Sequence, residues 1–512
     1  MHSLLRGPAR RLAGGVFWLV LAFGLGPRAE AAKFVHASLG SVEVYSSDSP
    51  DDTKRLLGEI LEIRRQVQML VAPAPVPNPR LQILIFSRQA DYEAFLPARA
   101  SWEKEGTRVS GFRVTEFGLV GAIVQDAGGY TFGLDSLRYF YASYLLQAAV
   151  PNAPLWVKVG LPEFLAGTQW RGKEIYIGDD FMDHKSSVRL GKLLPLAQLM
   201  NSSEMARHAG DPTHNTPLYH EAWALWHRWL TDPDPKRRAQ IQRLFTAIRE
   251  GHGGDLTTVT ECFGETAEAI DAARRSTPKG KGFPVVVGNP NPAALVPGLA
   301  FAPATELDAV FAQSLLAGSM GQGPQELAYK LYRVAQQVPT SPRPPEGLAV
   351  LAMGENDWPR AEARWEDARA LETTNAFAYL SPARAALNSR QMTLEPKPRF
   401  PADFAAQQRG YLDKAVALDA GCGEAYYLRA MVEAYAPDPQ AAALDAVEQS
   451  GALTVRPHGY IFLALARWRL GQIDHAKQAL AALNRYRHLD SAIQTQARVV
   501  RDGLERSLQG KK

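Results

Sequence analysis

From Thr305 to Ser507 the chain is rich in alanine, and large apolar side chains recur there at helical spacing between short breaks. Small residues set how closely two helices can approach, so alanine alternating with leucine, tyrosine or tryptophan at three- and four-residue steps specifies helices packed in pairs. Such a segment leaves no room for a sheet. The composition changes sharply on its N-terminal side. Ser276 to Pro303 is crowded with proline and glycine around Val285-Val286-Val287, which reads as a connector able to dock a strand on a neighbour. The chain thus divides into residues 33–275, a connector over 276–304 and a helical part over 305–507. Only two cysteines, Cys262 and Cys422, occur in 512 residues, which excludes a disulfide framework and any cysteine-based zinc site.

The first 32 residues carry four arginines and one glutamate, so the remainder holds 53 basic and 52 acidic side chains. A chain so nearly neutral has no global attraction for nucleic acid. Arg6, Arg10 and Arg11 precede an apolar run from Leu12 to Leu25, and Ala29-Glu30-Ala31 offers small residues for cleavage. These features predict a secretory signal over 1–32, and hence a bacterial periplasmic or extracellular protein. The run is shorter than the roughly 20 residues a membrane span needs, and none like it follows, so no stable span is expected after cleavage.

Residues 33–275 read as α+β. Val42-Glu43-Val44-Tyr45 alternates as a strand does. Leu56, Leu57, Ile60, Leu61, Ile63, Val67 and Leu70 then mark one face of an amphipathic helix from Pro50 to Leu70. Leu81 to Phe86 reads as an alternating, β-branched-rich strand, Ala90 to Phe95 as a short helix, and Arg108 to Val124 as a set of short strands punctuated by glycine. Helices follow over Leu134–Val150, Leu161–Thr168, Leu194–Met200, Tyr219–Leu230 and Arg237–Glu250.

In the helical part, Tyr460, Leu463, Ala464, Gly471, Ala476, Leu480 and Leu483 form a small-and-large register that Ala361, Trp365 and Ala368 repeat. Ala415 to Asp419 followed by Glu424 to Tyr427 looks like one repeat handing over to the next. This pattern resembles tetratricopeptide-repeat proteins, with irregular copies interrupted between Pro396 and Pro401. The resemblance implies a solenoid that holds a protein or peptide partner.

A second resemblance rests on Pro154-Leu155-Trp156, Gly160-Leu161 and Glu163, and on Tyr219-His220-Glu221-Ala222-Trp223-Ala224-Leu225. These segments resemble gluzincin-like metallopeptidases, in which a Pro-Leu-Trp turn opens a helix beginning Glu-Gly-Leu-Ala-Glu. In that family an upstream helix carries His-Glu-x-x-His. Its two histidines and the later glutamate hold zinc while its own glutamate is the general base. Laid along this chain without gaps, the family pattern puts Tyr139 and Ser143 where the histidines stand, Phe140 at the base and Val159 at the third ligand. Phe and Val have no lone pair to give, and Ser or neutral Tyr is a poor substitute. Without the ion, water keeps a pKa near 15.7 rather than about 7. No metal, cofactor or catalytic residue is therefore expected.

Tyr139, Phe140, Tyr141 and Tyr144 are expected to fill the former metal cavity. Trp156, Glu163, Tyr219 and His220 are the candidates for residual binding there, with a helix-surface carboxylate the plainer reading of Glu163. His220 and His227 lie about 10.5 Å apart along a helix, too far to share a zinc. His184, His208 and His214 fall in polar, loop-like text. The expected function is an exported, inactive metallopeptidase-like protein serving as a binding or scaffold module. One alternative is a hydrolase using Glu163, His220 and Glu221. Another is an envelope assembly factor that recognises its partner through the solenoid alone.

Overall fold

A computed structural model describes residues 34–72, 76, 80–95, 111–115, 118–124, 132–171, 174–179, 194–201, 212–275, 286–288, 296, 298–390, 394–454, 456–486 and 489–509. The leader and the positions of His184 and His208 lie outside the described residues. Two strands open the chain, β1 (Val35–Leu39) and β2 (Val42–Ser46), and α1 (Pro50–Val71) follows. Ser49 starts that helix by accepting a hydrogen bond from the Asp52 amide at 3.1 Å. Pro50 and two acidic residues occupy its first turn, where a missing amide hydrogen costs nothing and negative charge is favoured. Next come β3 (Leu81–Phe86), α2 (Gln89–Phe95), β4 (Gly111–Thr115) and β5 (Gly118–Val124).

Together with β9, described below, these strands form a six-stranded sheet in the order β4-β5-β3-β2-β1-β9. β3 lies parallel to both β2 and β5, whereas the other pairs are antiparallel. All six residues of β3 are buried, as expected of a central strand covered on both faces. Val42, Val44, Leu81, Ile83, Ile85 and Leu119 share a core with α1 and the next two helices, α3 (Phe132–Ala149) and α4 (Leu155–Ala166). A small second sheet then starts with β6 (Gln169–Arg171) and β7 (Glu174–Ile177). α5 (Leu196–Met200), α6 (Pro212–Leu230), α7 (Lys236–Arg249), α8 (Leu256–Phe263) and α9 (Ala267–Arg275) complete the first part. His214 belongs to α6 rather than to a loop, because the helix begins well ahead of its apolar stretch.

The connector contributes two strands to the first part. β8 (Val286–Gly288) pairs with β7, and β9 (Ala302–Pro303) pairs with β1. The remainder is helical: α10 (Glu306–Ser319), α11 (Gln325–Gln337), α12 (Arg343–Gly354), α13 (Trp358–Ala370), α14 (Ala376–Asn388), α15 (Ala402–Leu418), α16 (Gly423–Tyr435), α17 (Ala441–Gln449), α18 (Gly459–Arg469), α19 (Ile473–Ala482) and α20 (Ser491–Gln509). Among the described residues no helix is long and apolar enough to cross a membrane.

Three helix hairpins turn in the same way. α10 passes into α11 through Gly321, α12 into α13 through Asn356, and α18 into α19 through Gly471, all with φ between 60° and 74°. In each, the next amide reaches back to a carbonyl five residues earlier: Gln322 to Ala317, Asp357 to Ala352 and Gln472 to Arg467, at 2.9–3.0 Å. That closure satisfies the carbonyls a helix end leaves bare. The alanines read from sequence do the packing, with Ala361, Ala368, Ala464 and Ala476 each about 1% exposed or less.

The helical part also roofs the second face of the large sheet. Tyr45, Leu84, Phe86, Val120 and Ala122 join Tyr92 and Phe95 of α2 and Phe311, Leu315 and Leu316 of α10 in one core. A buried ion network crosses the same seam. Glu43 accepts from Gln82, from Arg80 at 3.2 Å and from Arg343 at 2.8 Å. Arg80 also donates to Glu346 at 2.6 Å, and Arg343 donates to Asp308. Both guanidiniums lie over the Phe311 ring, at 5.4 and 4.7 Å. His36 sits 3.8 Å from Glu43 and 3.6 Å from Asp308. Burial opposes the charge on Glu43, but the hydrogen bond to His36 and the two arginines outweigh it and hold its pKa at about 2.

Candidate functional site

Helix α3 is fixed from below. Arg138 donates to Asp135 at 2.7 Å and to Glu59 of α1, and Glu59 accepts from the Trp170 amide of β6 at 2.8 Å. All three charged side chains are about 5% exposed or less, so their pairing sets the rotation of α3 about its axis. The next residue along is Tyr139.

Helix α4 packs on both α3 and α6, and Tyr139 of α3 lies near Ser143, Glu163 of α4 and Tyr219 of α6. Burial raises the Tyr139 phenol well above its ordinary value. Tyr219 and the Glu163 carboxylate add to the shift, while Ser143 opposes it. Burial also raises Tyr219, with Glu163 in support. Both phenols are neutral at pH 7. The Ser143 hydroxyl is close enough to act on Tyr139 yet lacks the geometry of a full hydrogen bond, and its Oγ is buried without a formed one. Tyr139, Ser143, Glu163 and Tyr219 thus form one cluster of three hydroxyls and a carboxylate.

Several expectations change. Glu163 is only 7% exposed, so it is not a helix-surface carboxylate; the α3–α4–α6 contact encloses it. Phe140 is 45% exposed and does not fill a cavity, because it sits beside the inward face that Tyr139 and Ser143 occupy. Trp156 is no binding residue. It is fully buried, stacked on Trp226 at 5.7 Å, and it donates through Nε1 to the Gly254 carbonyl at 2.9 Å. Val159 is buried one turn before Glu163.

Gly160 and Ala222 form a close packing contact between α4 and α6. A Cβ on Gly160 would stand 2.5 Å from the Ala222 carbonyl carbon, so the glycine of the first motif is what lets α4 approach the alanine of the second. Trp223 and Trp226 of α6 are fully buried around that contact.

The remaining polar candidates do not form a reaction centre. Glu221 accepts from the Leu194 amide at 2.6 Å and from Arg274, which also donates to the Leu194 carbonyl at 2.6 Å. Its carboxylate ties the segment before α5 to α9. His220 is partly exposed, whereas His227 is buried against Phe164 and Trp223 with ring centroids at 5.7 and 4.7 Å. Among the described residues no three His, Cys, Asp or Glu side chains converge as a metal site would require. An open groove of about 640 Å³ lies elsewhere, along α7 and α8, where burial raises the Cys262 thiol.

The helical part approaches α3 next to the site. Tyr144, one residue past Ser143, is raised by burial and by Asp419 and Cys422 at the α15–α16 corner, so that corner borders α3. Sequence reasoning missed both this approach and the Glu59–Arg138–Asp135 anchor. A glutamate set within the apolar face of α1, beside Ile60, was the available signal for the anchor. No family model, curated protein or solved structure matches the chain.

Proposed function

We propose that this chain is an exported, catalytically silent member of the gluzincin-like class whose α3–α4–α6 cluster and tetratricopeptide-like helices together hold a protein or peptide partner. The carrying observation is that Tyr139 and Ser143, placed by the gap-free alignment, lie near Glu163 of the Pro-Leu-Trp helix and near Tyr219. Convergence is what a shared ancestral framework would give. The side chains there are neutral phenols, a serine and one carboxylate, none of which replaces a histidine pair in gripping zinc. No base occupies the position of Phe140, whose ring points to the exterior.

Three like-built hairpins and their alanine contacts support the repeat reading, and the α15–α16 corner beside Tyr144 supports a composite recognition surface. A hydrolase built on Glu163, His220 and Glu221 is disfavoured because Arg274 and the Leu194 amide engage the Glu221 carboxylate.

Metal content and peptidase activity of the purified mature protein test the proposal. The expected result is substoichiometric zinc and no chelator-sensitive cleavage. Stoichiometric, tightly held zinc with chelator-sensitive hydrolysis overturns it.

A further inference from the structure

Five large apolar side chains are exposed among the described residues, and three of them lie on α11 and at the start of α13: Tyr329 at 70%, Tyr332 at 45% and Trp358 at 43%. Helix α11 buries Leu327, Leu331 and Val334, leaving Glu326, Tyr329, Tyr332 and Arg333 along the outer side. The Arg364 guanidinium of α13 lies 5.4 Å from the Tyr332 ring centre, which links the two helices across this face and holds the ring in place. Exposed tyrosine and tryptophan beside arginine is the composition that dominates association surfaces.

The charges indicate the occupant. Lys330 pairs with Glu326 at 2.7 Å, Arg333 with Glu306, Arg360 with Glu355, and Arg364 with Asp367 at 2.8 Å. Each sign is balanced within the face, so no field favours an acidic or a basic partner. Along α11, however, the order is polar in the directional sense: Glu326 at one end, two tyrosines in the middle, Arg333 at the other. A two-fold axis through the tyrosines sets α11 antiparallel to its copy and brings each Glu326 opposite the second copy's Arg333. A guanidinium carries five donors, so Arg333 serves that carboxylate while keeping Glu306.

We propose that two copies of this chain pair through α11, with Tyr329 and Tyr332 at the centre and the Glu326–Arg333 contacts at the rim. This surface is independent of the α3–α4–α6 cluster. The test is sedimentation velocity of the full mature chain up to about 100 µM, a range that reads micromolar association. The expected result is a concentration-dependent dimer. Tyr329→Asp should abolish it, and Glu326→Arg or Arg333→Glu alone should weaken it by about tenfold or more, with the double charge swap restoring it. All three positions are exposed, and unchanged thermal melts verify folding. A monomer throughout the range overturns the proposal, as does a dimer indifferent to Tyr329→Asp, or singly charge-reversed variants that the double swap fails to rescue.

Discussion

Gly160 shows what one missing side chain does for this site. The contact of α4 with α6 depends on the absence of a Cβ, since the nearest atoms belong to the Ala222 backbone and cannot rotate away. Gly160→Ala is expected to lower stability by about 1–3 kcal/mol in urea unfolding, with the hydroxyl cluster displaced along with the helices. Arg138 is the second sensitive residue. Replacing it with Met leaves the Glu59 and Asp135 carboxylates buried without their cation. Such a loss costs on the order of 3–5 kcal/mol, which chemical denaturation would register as a large fall in midpoint. Tyr139, Phe140, Ser143 and Val159 behave differently, because the Gly160–Ala222 contact and the buried tryptophans hold the helices that carry them.

Among the elements, the helix hairpins carry their own conformational signature. Gly471 has φ of 72° and nothing within 4 Å of where a Cβ would stand, so Gly471→Ala meets only the backbone preference for the right-handed region. A loss of about 1–2 kcal/mol in thermal or urea unfolding is expected, with no change in the packing of α18 on α19. These elements were legible in the sequence wherever a period repeated. Leu56, Ile60, Ile63 and Val67 gave α1, and Ala361, Trp365 and Ala368 gave α13. Trp156, a candidate for binding in the sequence, is instead fully buried, because a tryptophan beside a turn serves packing as readily as binding. The ion network of Glu43, Arg80, Asp308, Arg343 and Glu346 was not legible, since its members are brought together only by the tertiary fold and a lone charge reads as solvated. One clue was present: β3 reads Leu-Gln-Ile-Leu-Ile-Phe, and so continuous an apolar run belongs to a strand covered on both sides. The roof supplied by α10 follows from that run.

The whole molecule is held together across the sheet by that network, and its stability should depend on pH with a definite sign. Glu43 is held at about 2 in the folded chain against 4.5 for the free group, so at intermediate pH the unfolded chain binds a proton the folded chain does not. Its contribution, roughly 3 kcal/mol, is fully present above about pH 5 and is lost as pH falls toward 2. Asp308, also lowered despite burial by its bonds to Thr305 and by His36 and Arg343, acts in the same direction. Unfolding midpoints measured between pH 7 and pH 2.5 should fall most steeply below pH 4.5, and Glu43→Gln should flatten that slope. The α15–α16 corner lies near Tyr144 of α3, so the helical part both covers the sheet and borders that helix.

The central claim is that α3 and α4 preserve a metallopeptidase framework whose chemical positions have been replaced. Restoring those positions tests it most directly. Zinc should be measured in the folded wild type and in a variant combining Tyr139→His, Phe140→Glu, Ser143→His and Val159→Glu. The account predicts about one zinc per chain in the variant and none held tightly by the wild type, since three ligands on two fixed helices suffice for the ion. A folded variant that takes up no zinc, or a wild type that already holds it, would contradict the account.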